Sequence, residues 1–189
     1  MKFPKIPLNY ATIAGLVYFI IFLTIYYSGA NPLGKYSYFG IWIPVVVIYF
    51  GIKHHRDKEL NGYIDYIKAL GTGMFISFVS ISLFSILVYS FGTFVAPDVL
   101  DRQMAEVMEG LNEMQNSINQ MKDMGSNSLA ESLQTLYDKA AEELEKHPEN
   151  FTLSSFIWGD FQAKLYGGFF VSLIIALILK KKEPLFNNF

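Results

Sequence analysis

Cysteine is absent from the chain, which removes disulfides, thiolate metal sites and cysteine nucleophiles together. Histidine is scarce, confined to His54, His55 and His147. His54 and His55 are adjacent and point to different sides of a helix, so even with Asp57 and Glu59 nearby their ligands do not converge as a zinc site requires. There is no phosphate-cradling glycine loop, no HExxH and no GxSxG. Gly71-Thr72-Gly73 lacks the rest of a dinucleotide fingerprint. No part reads as a nucleic-acid surface. These absences predict a protein that is not an enzyme and holds no metal or cofactor.

The most consequential absence is charge in the middle of four long apolar runs, residues 9–28, 38–52, 70–95 and 165–179. A bilayer core about 30 Å thick is crossed by about 20 helical residues. Backbone polar groups in lipid must be satisfied within the segment, which favours helices. The fold class is therefore all-α: a polytopic membrane protein of four transmembrane helices. The same absence argues against a proton pump or secondary transporter working as a monomer, because these place ionisable groups within their spans. The nearest charges are Asp65 and Lys68 at one edge of the third span, and Asp160 and Lys164 at the far edge of the fourth. The latter two, four residues apart, predict a local ion pair with Lys164 snorkelling outward.

What charge there is has a pattern. Lys2, Lys5, Lys53, Arg56, Lys58, Lys68 and the run Lys180-Lys181-Lys182 flank the spans on one side. The first connection carries only Lys35, and residues 97–150 hold twelve acids against four bases. By the positive-inside rule both termini are cytoplasmic and residues 97–150 are periplasmic or external. The chain divides into residues 1–96 with three spans, the acidic segment 97–150, and residues 151–189 with the fourth span and a basic tail. The first span, with Lys2, Lys5 and Ser28-Gly29-Ala30, imitates a cleavable signal. Its apolar run is longer than a signal core, so it reads as a retained span.

Asn31-Pro32-Leu33-Gly34 is a turn, and Tyr36, Tyr38 and Trp42 suit the headgroup interface. Pro44 falls inside the second run and predicts a kink there, freeing the Gly40 carbonyl. The connection that follows carries Gly51, Lys53, Arg56-Asp57, Gly62, Ile64, Tyr66, Ala69 and Gly73. In these residues, and in the layout of four spans with an elongated third connection, the chain resembles the four-span membrane proteins of Bacteroidota catalogued as domain of unknown function 4199. That resemblance implies a bacterial inner-membrane location and assigns no activity.

The third span is rich in hydroxyls: Thr72, Ser77, Ser80, Ser82, Ser85 and Ser90. Ala69, Gly73 and Ser77 recur every four residues, as do Gly168, Ser172 and Ala176 in the fourth span, with Ala11 and Gly15 a shorter ridge in the first. Small residues at this spacing let helix backbones approach closely in lipid. These ridges are expected to pack on one another.

Between the third and fourth spans, Leu100, Met104, Val107, Leu111, Met114, Ile118 and Met121 repeat at alternating spacings of four and three. This heptad stripe predicts a helix of about 25 residues, about 38 Å long. Pro97, Asp98 and Asp101 suit its first turn, and Gly125-Ser126-Asn127 ends it. Ser128 with Glu131 reads as a capping box opening a second helix, lined by Leu129, Leu133, Leu136, Ala140 and Leu144 and closed by His147-Pro148. Pairs Arg102–Glu106 and Glu142–Lys146 are expected on its surface. The economical arrangement is an antiparallel helical hairpin outside the membrane.

A two-helix hairpin buries little on its own. Its stripe is therefore expected to meet another copy, a different protein or the membrane face, and its methionines suit adaptable contacts. The leading expectation is a non-enzymatic interaction or assembly protein presenting the hairpin, with the lipid bilayer and a protein partner or homo-oligomer as its contacts. The alternative is an oligomeric channel or permeation element lined by the serine-rich third span. A lipid-modifying enzyme using Asp160 or the His54-His55 connection is a third, weaker reading.

Overall fold

A computed structural model describes residues 4–181; Lys2 and Lys182, which contribute to the charge pattern, lie outside the described residues. The described chain is all-α: α1 Lys5–Tyr27, a 3-10 segment Lys35–Gly40, α2 Ile43–Glu59, α3 Tyr66–Phe94, α4 Asp98–Asp123, α5 Asn127–Lys146, a 3-10 turn Pro148–Asn150 and α6 Leu153–Leu179. Four of these are long and apolar enough to cross a membrane: α1, the stretch Lys35–Glu59, α3 and α6.

The second span departs from expectation. Pro44 lies in the first turn of α2 rather than inside a continuous helix, so the predicted kink is replaced by a helix start preceded by a 3-10 segment. In the first turn a missing N–H costs nothing and a fixed φ favours the helix. α2 then runs through the basic connection to Glu59, with Arg56 and Lys58 in its last turn, where the helix dipole favours cations. α6 starts twelve residues before Leu165, because Thr152 and Ser155 cap its N-terminus reciprocally. The box expected at Ser128 and Glu131 does not form. Ser126 is the N-cap of α5 without a side-chain bond, so Ser128 already lies within the helix. The turn is held instead by the end of α4: Gly125 N–H reaches the Lys122 carbonyl (3.0 Å), Ser126 N–H reaches that of Met121 (2.9 Å), and Gly125 has φ +76°.

α3 occupies the centre, touching α1, α2 and α6, while α2 also packs on α1 and α6. The apolar interior falls into two layers. Toward α4, Phe22 meets Phe84 and Phe91 edge-on with ring centroids 6.3 and 5.8 Å apart, and Tyr18, Val88, Val99 and Ile157 complete the layer. Toward the other end, Ile48, Ile52, Ile76, Ala176 and Leu179 pack with Ala11, Ala69 and Ile64.

Small residues set the α3–α6 distance. A Cβ added to Gly73 would lie 2.9 Å from Cβ of Ser172, and one added to Gly168 would lie 2.8 Å from Cβ of Ser77. The contact is reciprocal and antiparallel, glycine to serine twice, and Ala176 is fully buried beyond it. Gly15 plays the same part against α3, where an added Cβ would come 2.8 Å from the Ser80 carbonyl.

α4 and α5 pack on each other. Leu100, Met104, Val107, Leu111, Met114 and Met121 are half-buried and Ile118 is fully buried, while the positions between them face outward, except for Arg102, Gln103, Glu106 and Gln115, which are also partly covered. On α5 the inward face is Ala130, Leu133, Tyr137, Ala141 and Leu144; Leu129, Leu136 and Ala140, expected to line the apolar side, are exposed.

Overpacking the α3–α6 contact has a defined consequence. Gly168→Leu is expected to cost about 1–3 kcal/mol. Leu177→Ile, at a half-exposed position of the same helix, is expected to stay within about 0.5 kcal/mol. Thermal unfolding of both variants in detergent checks this; equal melting temperatures would remove the packing argument.

Candidate functional site

Because α2 starts only at Ile43, the α4-facing half of the bundle has a 3-10 segment where a full helix would otherwise pack against α6. A cavity of about 840 Å³ results. Its walls are the 3-10 segment with Pro44, the α6 residues from Ser155 to Val171, and Tyr18 of α1; Gln103 and Glu106 of α4 close the top. No α3 residue lines it. On the α6 wall Gly159, Ala163, Gly167 and Val171 follow one another every four residues, and a Cβ added to Gly159 or Gly167 would meet nothing within 4 Å.

Asp160 and Lys164 lie in this cavity, joined as an ion pair, their side chains only 17% and 16% exposed. Lys164 Nζ also sits 5.2 Å from the centre of the Phe84 ring. The ammonium is drawn one turn toward the N-terminal end of α6, the direction in which a lysine snorkels. A pair held this far from water offsets its desolvation only through close mutual contact.

The cavity's roof is fastened by hydrogen bonds from α4 to the end of α1 and the turn after it. Arg102 donates to the carbonyls of Tyr26 (3.0 Å) and Ala30 (3.3 Å), pairs with Asp98 (2.8 Å) and lies 4.3 Å from the centre of the Tyr26 ring. Tyr26 OH donates to Asp98 (2.8 Å). The expected Arg102–Glu106 pair does not form, because Glu106 accepts instead from Asn31 Nδ2 (2.7 Å) and the Lys35 N–H (2.8 Å). Asn31 also donates to Gln103 and accepts from the Leu33 N–H, an Asx turn. A side chain at Gly34 would collide with the Glu106 carboxylate. Asn31 and Gly34 read as turn formers in sequence; nothing there marked them as partners for a helix some 70 residues away.

The opposite end of the bundle is tied separately. Arg56 bonds Asp57 (2.7 Å) and donates to the Leu179 carbonyl (3.2 Å). Ile64 and Lys181 exchange two backbone bonds of 2.8 and 2.9 Å. Gly62 adopts φ +86° and donates to the Arg56 carbonyl. His54 meets Tyr10 OH (2.8 Å) and His55 meets Glu59 (2.6 Å), so the two histidines serve different contacts. Asp65 caps α3 by accepting from the Lys68 N–H (2.8 Å). Among the described residues no group of three or more histidines and carboxylates stands close enough to hold a metal ion.

Of the third-span hydroxyls, Thr72 and Ser80 donate to carbonyls of their own helix, Ser77 faces Gly168, and the Ser77 and Ser85 hydroxyls are buried without partners. Serine in this helix therefore contributes small size more than polarity.

The basic connection thus acts as a clamp built from Gly51, Arg56-Asp57, Gly62, Ile64 and Gly73, and a family profile that includes it matches residues 9–181. The chain belongs to that family. It is described as protein of unknown function DUF4199. No curated protein and no solved structure matches the chain. Within this DUF4199 chain, the glycines of the clamp have physical roles: Gly51 admits Ile76, whose Cδ1 would stand 2.5 Å from an added Cβ, and Gly73 admits Ser172.

Two predictions concern the roof. Arg102→Met is expected to raise amide hydrogen exchange at least about tenfold over residues 98–106 while leaving α3 and α6 protected; unchanged exchange there would mean that Arg102 does not hold α4. Asp98 is held below the ordinary carboxylate range, first by the Tyr26 hydroxyl and then by Arg102. A lowered folded value means that its contribution is complete above the ordinary value of about 3.9 and is lost as pH falls further, through the lowered value. Spin labels on α1 and α4, introduced into a chain without cysteine, should therefore keep one distance from pH 7 to about 5 and broaden only below about 4; broadening already at pH 6 would contradict it.

Proposed function

We propose that this is a non-enzymatic membrane interaction protein whose α4–α5 pair is an extramembrane helical hairpin presented to a protein partner. The observation that carries this reading is the division of α5. One apolar row packs on α4, and a second, Leu129, Leu136 and Ala140, stands in the open with the two leucines 61% and 56% exposed. With Ala140 one turn beyond Leu136, the two leucines form an apolar strip along the outer face of α5. The surroundings carry twelve acids against four bases over residues 97–150. Like-charged copies repel, so the partner that fits has an apolar strip flanked by basic residues. The roof contacts of Arg102, Asn31 and Glu106 give the hairpin a fixed base.

The same reading takes the membrane to be a bacterial inner membrane, with both termini cytoplasmic and the hairpin periplasmic. Its support is the run of bases from Lys53 to Lys68 and at Lys180 and Lys181, against the acidic connection. An oligomeric channel lined by the third span is served less well, since Thr72 and Ser80 bond their own helix and the Ser77 and Ser85 hydroxyls are closed off inside the bundle.

The test is cross-linking mass spectrometry on protein purified in native nanodiscs, comparing the full chain, Leu129→Glu/Leu136→Glu, and a chain with residues 98–149 replaced by a short Gly/Ser loop. A second protein cross-linked to α5, and lost in both variants, is expected. Cross-links that persist in both variants, or a full chain that purifies alone, would overturn the reading. Orientation has its own check. Ser132→Cys should react with a membrane-impermeant maleimide on cells whose outer membrane has been opened, and Lys58→Cys should not.

A further inference from the structure

We propose that the cavity between the 3-10 segment and α6 binds an electrically neutral bilayer amphiphile, with an alcohol- or amide-bearing head at the Asp160–Lys164 pair and an apolar chain along the small-residue wall of α6. Four observations converge on this occupant. The first is size: about 840 Å³ lies within the range of about 300–1,000 Å³ typical of small-molecule sites. The second is access. Tyr38 and Ile41 line the cavity and are 71% and 72% exposed on the surface of a membrane-spanning stretch, so the mouth opens sideways onto lipid.

The third observation is the gradient of chemistry along the cavity. Pro44, Gly167 and Val171 make its deep end, while Gln103, Glu106 and the Lys35 backbone make its roof. Lys164 is 15 residues from Leu179, about 22 Å along the helix, and so falls within the thickness of the apolar layer. A molecule filling this space must be apolar below and polar above.

The fourth is an unmet hydrogen bond. Tyr18 is 7% exposed and lines the cavity, yet its hydroxyl has no hydrogen-bond partner among the described residues. Unlike the closed-off hydroxyls of Ser77 and Ser85, it is open to the cavity, where an acceptor on a bound molecule can meet it. Beside it, Lys164 has donors left after pairing with Asp160, and the Asp160 carboxylate has acceptor capacity left. A hydroxyl or amide satisfies donor and acceptor together. The Asp160–Lys164 pair is self-neutralised, and Glu106 at the roof is already engaged, so a free anion would face Asp160 and a free cation would face Lys164. Neutral heads avoid both costs.

The experiment uses the full chain in phosphatidylcholine nanodiscs with a diazirine-bearing monoacylglycerol and the matching diazirine fatty acid as probes. Saturable monoacylglycerol labelling is expected on peptides covering residues 35–44 and 156–171, competed by unlabelled monoacylglycerol. Gly167→Phe, whose side chain enters open space, should reduce labelling about tenfold or more without lowering the melting temperature. Tyr18→Phe should weaken labelling by a smaller factor at unchanged stability. Unsaturable labelling spread over the outward faces of α1 and α6, or labelling unchanged in Gly167→Phe, would overturn the site. Tighter labelling by the fatty acid would overturn the neutral head. Neither result depends on whether the hairpin has a partner, because the exposed leucines of α5 do not touch the cavity.

Discussion

The reciprocal contact of Gly73 with Ser172 and Ser77 with Gly168 is the constraint on which the rest of the molecule depends. In lipid the tails are as apolar as the side chains, so helices gain little from hiding leucine and must gain from close packing. By bringing α3 and α6 together at backbone range, the contact fixes a central pair. α1 joins that pair through Gly15, and α2 lodges Ile48 and Ile52 against its lower half. The upper half of α6 is left with small residues and no helix opposite, and this is where the cavity lies. Tight packing at one level and an open volume at the next arise from one choice, small residues on successive faces of α6.

The two ends of the bundle are closed by different means. At the end carrying Arg56, backbone atoms take a direct part: Ile64 and Lys181 exchange two backbone bonds, and the Leu179 carbonyl accepts from Arg56. At the end carrying Arg102, the ties run through side chains, and several of those are ionised. The closure at Arg102 responds to the protonation of Asp98.

The spans and the heptad stripe were legible in the sequence because both are periodicities. Charge is excluded over about 20 residues, and apolar residues recur every three or four. The small-residue ridges were visible for the same reason, although spacing alone does not say which ridge meets which. Pro44 was misplaced because a hydropathy run cannot distinguish a kinked helix from a 3-10 segment followed by a new start. Arg102 has carboxylates one turn away on either side, and it is the engagement of Glu106 by Asn31 and Lys35 that leaves Asp98 as its partner. On α5, eight apolar residues are spread around more than half the helix, so the pattern could not tell the row facing α4 from the row facing away. The cavity escaped altogether, since it is made by what Gly159, Ala163 and Gly167 do not touch.

Glu106 and Gln103 belong to two structures at once. They hold α4 to the turn at Asn31, and they form the upper wall of the space beside α6. Any motion of α4 away from α1 must withdraw that wall, and any occupant resting against it must bias where α4 stands. Occupancy inside the membrane and the attitude of α4 and α5 are therefore linked quantities, and linkage is symmetric. A load applied to the far end of α4 would be felt as a change in affinity some turns below, passed through a single glutamate and its two hydrogen-bonding neighbours, Asn31 and Lys35.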